Sequence, residues 1–143
     1  MHTGYQDFAD IRFMPAFVDK SMFIKTVLDS DVRLLITAPR RFGKSVNISM
    51  LKHFFERSPD EEVMEKNRKL FEETQIWKCS EIMREHQGKY PVIFLDFKSS
   101  STISSLQTAR DVLASVGQKA FLTHEYLATS DDLKDHEKEK VKE

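Results

Sequence analysis

The chain has 143 residues, of which 40% are apolar and 31% are charged, with a formal net charge of −1. This composition is typical of a soluble globular protein and excludes the disordered and membrane classes. A charge so close to zero gives no bulk electrostatic reason to expect a nucleic-acid partner.

The cysteine count and the N-terminal residues bear on the compartment. Cys79 is the single cysteine, which excludes an internal disulfide and a thiolate metal cluster. The opening residues 1–8 lack the basic start and apolar core of a signal peptide, and no apolar run approaches the length of a membrane span. These features predict a cytoplasmic or nuclear protein with no membrane partner.

The first part of the chain predicts a short helical turn, an extended piece, a helix and a strand. Ser21 is the predicted cap of the helix, whose inner face consists of Phe23, Ile24, Val27 and Leu28. Residues 32–36 are almost continuously apolar, which predicts a strand covered on both faces in a parallel sheet.

A loop ending in Gly43-Lys44-Ser45 follows this strand. After it, apolar residues at helical spacing predict a helix from Lys44 to about Arg57. A strand, a loop and a helix in this order are the arrangement of a P-loop. Ala38 stands at the first glycine position of the G-x-x-x-x-G-K-[ST] pattern, so only the second half of the pattern is intact.

The chemistry that this loop predicts is phosphate binding. Backbone N–H groups and the helix dipole attract phosphate oxygens, a lysine neutralises them, and a Ser45 hydroxyl is a ligand for Mg²⁺. The predicted nucleotide-binding residues are Pro39, Arg40, Arg41, Phe42, Gly43, Lys44, Ser45 and Val46. Of the two arginines, we expect one to face phosphate and the other to face protein, and the sequence does not distinguish them.

The remaining elements predict an α/β fold. A polar helical stretch ends near Phe71, an apolar patch of Phe71, Ile76 and Trp77 closes over the core, and 81–86 form a short helix. Residues 92–97 predict a second buried strand, and 102–127 predict a helix capped by Ser104 or Ser105. The predicted fold class is therefore α/β, a P-loop NTPase-like parallel sheet flanked by helices and incomplete. The predicted domain spans 1–128, followed by a charged helical or frayed tail at 129–143.

The second half of a P-loop site needs an acidic residue at the end of another strand. Asp96 is the candidate for this Mg²⁺ ligand, because it follows the apolar residues 92–95. Phe97 stands where a neighbouring glutamate would activate water. The alternative is that Asp96 only terminates the strand as a cap or turn acceptor.

Three segments, 17–24, 35–55 and 90–93, resemble the predicted AAA-ATPase-like family. In that family a V-D-K-[ST] segment precedes an R-P-R-R-F-G-K-[ST]-x-N-x-S-M-L loop, and Ala38 replaces its first arginine here. The resemblance implies the N-terminal portion of an ATPase domain that binds ATP and Mg²⁺. The family's metal-binding strand, ending D-E-Y-D, comes later than 92–97 and has no match here, which argues against Asp96 and implies slow or absent hydrolysis. Nothing matches the nuclease-like domain that many members also carry.

Two other functions remain open from the sequence. In the first, the domain keeps the fold without binding nucleotide, and an open sheet edge binds a protein partner or a second copy. In the second, a weaker hypothesis, Arg40, Arg41, Lys44 and Lys52 contact nucleic acid.

Overall fold

The computed structural model describes residues 7–30, 33–95, 106–129 and 133–136. The chain divides into two compact units, Met1–Val92 and Ile93–Glu143. The predicted boundary after residue 128 stays a prediction.

The first unit contains five α-helices and a short 3₁₀ turn among its described residues. The helices are α1 (Phe8–Ile11), α2 (Phe23–Leu28), α3 (Lys44–Phe55), α4 (Glu61–Lys69) and α5 (Ser80–His86), and the 3₁₀ turn is Ile76–Lys78. The second unit contains α6 (Leu106–Thr123) and a 3₁₀ helix (Glu125–Thr129). The helices predicted from apolar periodicity are confirmed, with bounds that differ by a few residues.

The predicted α/β class is wrong for the described part of the chain, which contains no strand and no sheet. Residues 33–36 and 92–95 have no helix and no strand pairing, and Asp96 and Phe97 lie outside the described residues. Leu35 is 88% exposed and Ile93 is 69% exposed, so neither run is covered on both faces. The prediction failed because an apolar run indicates a tendency to be buried, whereas a strand also needs a neighbour to complete its hydrogen bonds.

A single parallel bridge joins Glu56 and Tyr90 within the first unit. The N–H of Arg57 donates to the Tyr90 carbonyl at 2.7 Å, and the N–H of Tyr90 donates to the Phe55 carbonyl at 2.9 Å. These bonds fix the segment after α5 to the end of α3 and continue into no ladder among the described residues.

The core of the first unit is a cluster of seven buried apolar side chains: Phe8, Ile24, Met50, Phe54, Leu70, Phe71 and Ile76. The Phe71 ring lies between the rings of Phe8 and Phe54, with centroids 5.3 Å and 5.2 Å away. Met50 and Phe54 are four residues apart and therefore lie on one face of α3. The predicted patch of Phe71, Ile76 and Trp77 is confirmed, since the first two are in the core and Trp77 packs against it.

Ser21 does not cap α2 as predicted. Met22 is the residue before the helix and makes no side-chain cap bond. The Ser21 hydroxyl instead accepts a hydrogen bond from the N–H of Ile76 at 3.0 Å.

Ser104, Ser105 and most of the charged tail lie outside the described residues. None of the helices in the described ranges combines the length and apolarity that crossing a membrane requires.

Candidate phosphate-binding site

The loop before α3 turns through two residues in the left-handed backbone region. Arg41 has φ +69° and Gly43 has φ +79°. Gly43 directly precedes the first residue of α3. A Cβ built on Gly43 would meet no atom within 4 Å, so the backbone angle alone accounts for the glycine. The turn leads the chain from residues 33–39, which belong to no helix or strand, into α3.

Lys44 holds its ammonium group inside this loop. Its Nζ donates to the backbone carbonyl of Ala38 and, at 2.8 Å, to that of Pro39. The side chain therefore folds back from the first turn of α3 across the loop that precedes it. The Lys44 ammonium thus lies against the loop carbonyls of Ala38 and Pro39, just before the start of α3.

The start of α3 is electrostatically suited to an anion. The helix has 12 residues, and its first turn contains no acidic side chain. The unpaired N–H groups at a helix start carry partial positive charge, and a carboxylate there would cancel it. Here Lys44 adds a full positive charge instead, and the exposed Arg40 and Arg41 lie immediately before it.

The other predicted loop residues differ in exposure. Ser45 is exposed, Phe42 is 63% exposed, and Val46 packs against the core. Whether Ser45 binds Mg²⁺, and which arginine faces phosphate, stay predictions. The described residues contain no group of three or more His, Cys, Asp or Glu side chains that could hold a metal ion. Asp96, the other predicted metal ligand, lies outside them.

An apolar cavity of about 260 Å³ adjoins the loop at Gly43. One side is lined by α1 and the residues that follow it, including Phe8, Ile11 and Phe17. The α3 side is lined by Val46, Asn47 and Met50. Among the lining residues that the structure describes, Lys20 is the only charged one and Asn47 the only amide. A mostly apolar cavity with a few polar groups is the usual form of a small-molecule site.

The V-D-K-[ST] segment holds the unit together through its polar side chains. Asp19 accepts hydrogen bonds from the backbone N–H of Ser21 at 2.8 Å and of Gln75 at 2.7 Å. Burial alone would raise the pKa of Asp19, but the bonds from Ser21 and Gln75 and the charge of Arg12 lower it below 3.8. Together with the Ser21 bond to Ile76, these contacts fix 19–21 to 75–76.

A polar network between α1 and α3 was not predicted from the sequence. Asp7 Oδ1 accepts hydrogen bonds from the Ala9 N–H at 2.8 Å, the Ser49 hydroxyl at 3.1 Å and His53 Nε2 at 2.8 Å. The Ser49 hydroxyl also accepts from the Phe8 N–H at 3.1 Å. The sequence held one signal, because an aspartate directly before a short amphipathic stretch indicates a helix cap.

The carboxylate of Asp7 is stabilised in its charged form by this network. Burial alone would raise its pKa, but hydrogen bonds from Ala9, His53 and Ser49, with the charge of His53, lower it below 3.8. His53 makes a second bond through Nδ1 to Asn67 Oδ1 of α4 at 2.8 Å. The network therefore joins α1, α3 and α4.

Comparison with known proteins gives one match. A family model described as predicted AAA-ATPase matches residues 2–142 of the chain. No curated protein and no solved structure matches it.

Proposed function

Because the chain belongs to the predicted AAA-ATPase family, we propose that it binds ATP with Mg²⁺ through the loop at 38–45 and the start of α3. The observation that carries this proposal is the Lys44 ammonium, held inside the loop at a helix start free of acidic side chains. Phosphate oxygens form stronger, charge-assisted bonds to an ammonium than neutral carbonyls do. On binding, they would therefore replace the carbonyls of Ala38 and Pro39 as partners of Lys44.

The cavity beside Gly43 supports a nucleotide in particular. Its volume of about 260 Å³ is close to the lower end, about 300 Å³, of the usual range for ligand pockets. An aromatic and aliphatic lining suits the flat, apolar faces of a nucleobase, and Asn47 offers both a donor and an acceptor for its edge. In this proposal the base lies in the cavity, and the phosphates lie at the loop.

The residues present fit the phosphate groups better than the metal. Lys44, the N–H groups of the loop and the α3 start would hold the phosphates, and Ser45 would provide one oxygen for Mg²⁺. When bound, Mg²⁺ would neutralise part of the phosphate charge. We expect slow or absent hydrolysis, because the metal-binding segment of the family, which ends D-E-Y-D, has no match in this sequence. A turnover of about one per second that is abolished in Lys44→Ala would contradict this expectation.

Isothermal titration calorimetry with Mg²⁺-ATP tests the proposal. The wild-type chain should bind, and Lys44→Ala should weaken binding by roughly 10- to 150-fold, since a charge-assisted contact contributes roughly 1.5–3 kcal/mol and 1.4 kcal/mol is tenfold. Lys66→Ala is the matched control, because it removes an equal charge from α4, where Lys66 pairs with Glu62. Equal affinity in all three folded proteins, or no binding to the wild type, would reject the proposal.

The exposed apolar segment at 33–36 favours a second candidate, a protein-binding domain. Leu34 and Leu35 are 47% and 88% exposed, and residues 33–36 belong to no helix or strand. Exposed apolar side chains that lie next to one another in this way suit a contact with another chain. Leu35→Lys would weaken self-association or partner binding in this case and leave ATP affinity unchanged. A wild-type chain that stays monomeric at high concentration would count against the self-association form.

A further inference from the structure

Helix α1 is only four residues long, and it contributes Phe8 and Ile11 to the wall of the cavity beside Gly43. A helix this short has no stability of its own, because nucleation fixes several residues for very few hydrogen bonds. Its position therefore depends on its contacts with the rest of the unit. Phe8 anchors it in the core, where its ring stacks on Phe71.

The polar anchor of α1 is the carboxylate of Asp7. The same Oδ1 caps the helix through the Ala9 N–H and accepts bonds from two residues of α3, Ser49 and His53. Ser49 and His53 are four residues apart and therefore lie on one face of α3. Ser49 is buried, with 6% of its surface exposed, and it also binds the Phe8 N–H.

The two α3 partners of Asp7 lie on the same helix as Lys44 of the phosphate loop. Lys44 is the first residue of α3. Ser49 lies more than one turn further along this helix, and His53 lies more than two turns further along it. Asn47 and Met50 of the same helix also line the cavity. The bonds that Asp7 makes therefore hold α1 against α3 beside the cavity, and they run to Ala9, Ser49 and His53 rather than to the loop at 38–45.

We propose that Asp7, Ser49 and His53 form a clamp that positions the α1 wall against the nucleotide base, so that Asp7 controls affinity for the base without affecting phosphate binding. This inference rests on the proposed function. Asp7 is a positioning residue here, because it acts through α1 and lies outside the cavity lining.

Calorimetric titrations with two ligands test the clamp. Mg²⁺-ATP engages the cavity and the loop, whereas Mg²⁺-tripolyphosphate engages the loop alone. Asp7→Ala should weaken ATP binding by roughly fivefold, since a charge-assisted bond to a half-exposed carboxylate is partly screened, and change tripolyphosphate binding by less than about twofold. Lys44→Ala should weaken both.

Asp10→Ala is the matched control. Asp10 is an exposed carboxylate of the same short helix, so its removal takes away an equal charge without touching α3. Its affinities for both ligands should equal those of the wild type. Asp7→Asn should restore part of the ATP affinity, because its side-chain oxygen still accepts hydrogen bonds.

The outcomes separate the clamp from the function on which it rests. Unchanged ATP affinity in Asp7→Ala, or an equal loss for both ligands, would overturn the clamp while leaving the proposed function standing. A wild-type chain that binds neither ligand would overturn both. If Asp7→Ala fails to fold, the same comparison in Ser49→Ala decides, because that change deletes a single hydroxyl.

Discussion

The two motif segments of this chain, 17–21 and 38–46, use their polar residues in opposite ways. In the first, Asp19 and Ser21 bind the backbone of Gln75 and Ile76 and hold the unit together. In the second, Arg40, Arg41 and Ser45 are exposed, and Lys44 lies against two carbonyls of its own loop. One motif of the family is therefore a structural joint, whereas the other leaves side chains exposed, as the proposed phosphate site requires. The bonds that the side chains make within the fold distinguish the two.

Deleting the Asp19 carboxylate should give the largest effect on stability. Asp19→Ala removes the acceptor of two backbone N–H groups, which should lower the free energy of unfolding by about 2–3 kcal/mol. Lys44→Ala, in the other segment, should lower it by less than about 1 kcal/mol. Urea denaturation measures both. Equal losses of unfolding free energy in the two variants would show that the two segments do not differ in their contribution to stability.

Acid should lower the stability of the fold by protonating Asp7 and Asp19, whereas the loop at 38–46 contains no carboxylate. The pKa values of Asp7 and Asp19 lie below 3.8 in the fold, so their contribution to stability is present above the unfolded value, about 3.9. It is lost as pH falls through the folded values. Protonation leaves the oxygens in place, so we expect a smaller effect than deletion of the carboxyl.

Thermal unfolding of wild type and Asp19→Asn between pH 2 and pH 6 would check this. The variant should lose less stability on acidification than the wild type, because its side chain has no proton to bind. If stability falls equally with pH in the two proteins, protonation of Asp19 does not contribute to the loss of stability in acid.

Replacement by alanine should change the stability of the protein in opposite directions at two glycines. Gly43→Ala places a side chain at φ +79° and should destabilise the protein by about 1 kcal/mol. Gly117→Ala lies within α6, where a Cβ meets no atom within 4 Å, and should stabilise the protein by up to about 1 kcal/mol. Chemical denaturation of both variants tests this. A neutral Gly43→Ala would mean that the loop adopts another backbone conformation in solution.

The helices could be predicted from sequence. The sequence could not show that the apolar residues at 33–36 and 92–95 form no strand. Ile48, Leu51, Phe54 and Phe55 repeat at the helical period, and helix hydrogen bonds are local, so the pattern suffices. A strand needs a partner elsewhere in the chain, and an apolar run such as 33–36 does not say whether one is present. The structure shows that the apolar side chains of 34–36 are exposed rather than buried.

The candidate site was predictable to the same degree. The loop is one continuous motif, so the turn at Gly43 and the helix start at Lys44 could be predicted from their order alone, whereas their binding of phosphate stays a prediction. The contacts of Asp7 could not, because Ser49 and His53 lie 42 and 46 residues away in sequence. For Ser21, local sequence suggested a helix cap, and a buried N–H 55 residues away proved the better partner.

Hydrogen–deuterium exchange with and without Mg²⁺-ATP tests the central claim most directly, because it compares the two segments in one sample. We predict that nucleotide slows exchange of the backbone amides at 40–46 and leaves those at 17–21 almost unchanged. Lys44→Ala should remove the effect. Protection confined to other segments, or no change anywhere in the folded wild type, would contradict a phosphate-binding role for this loop.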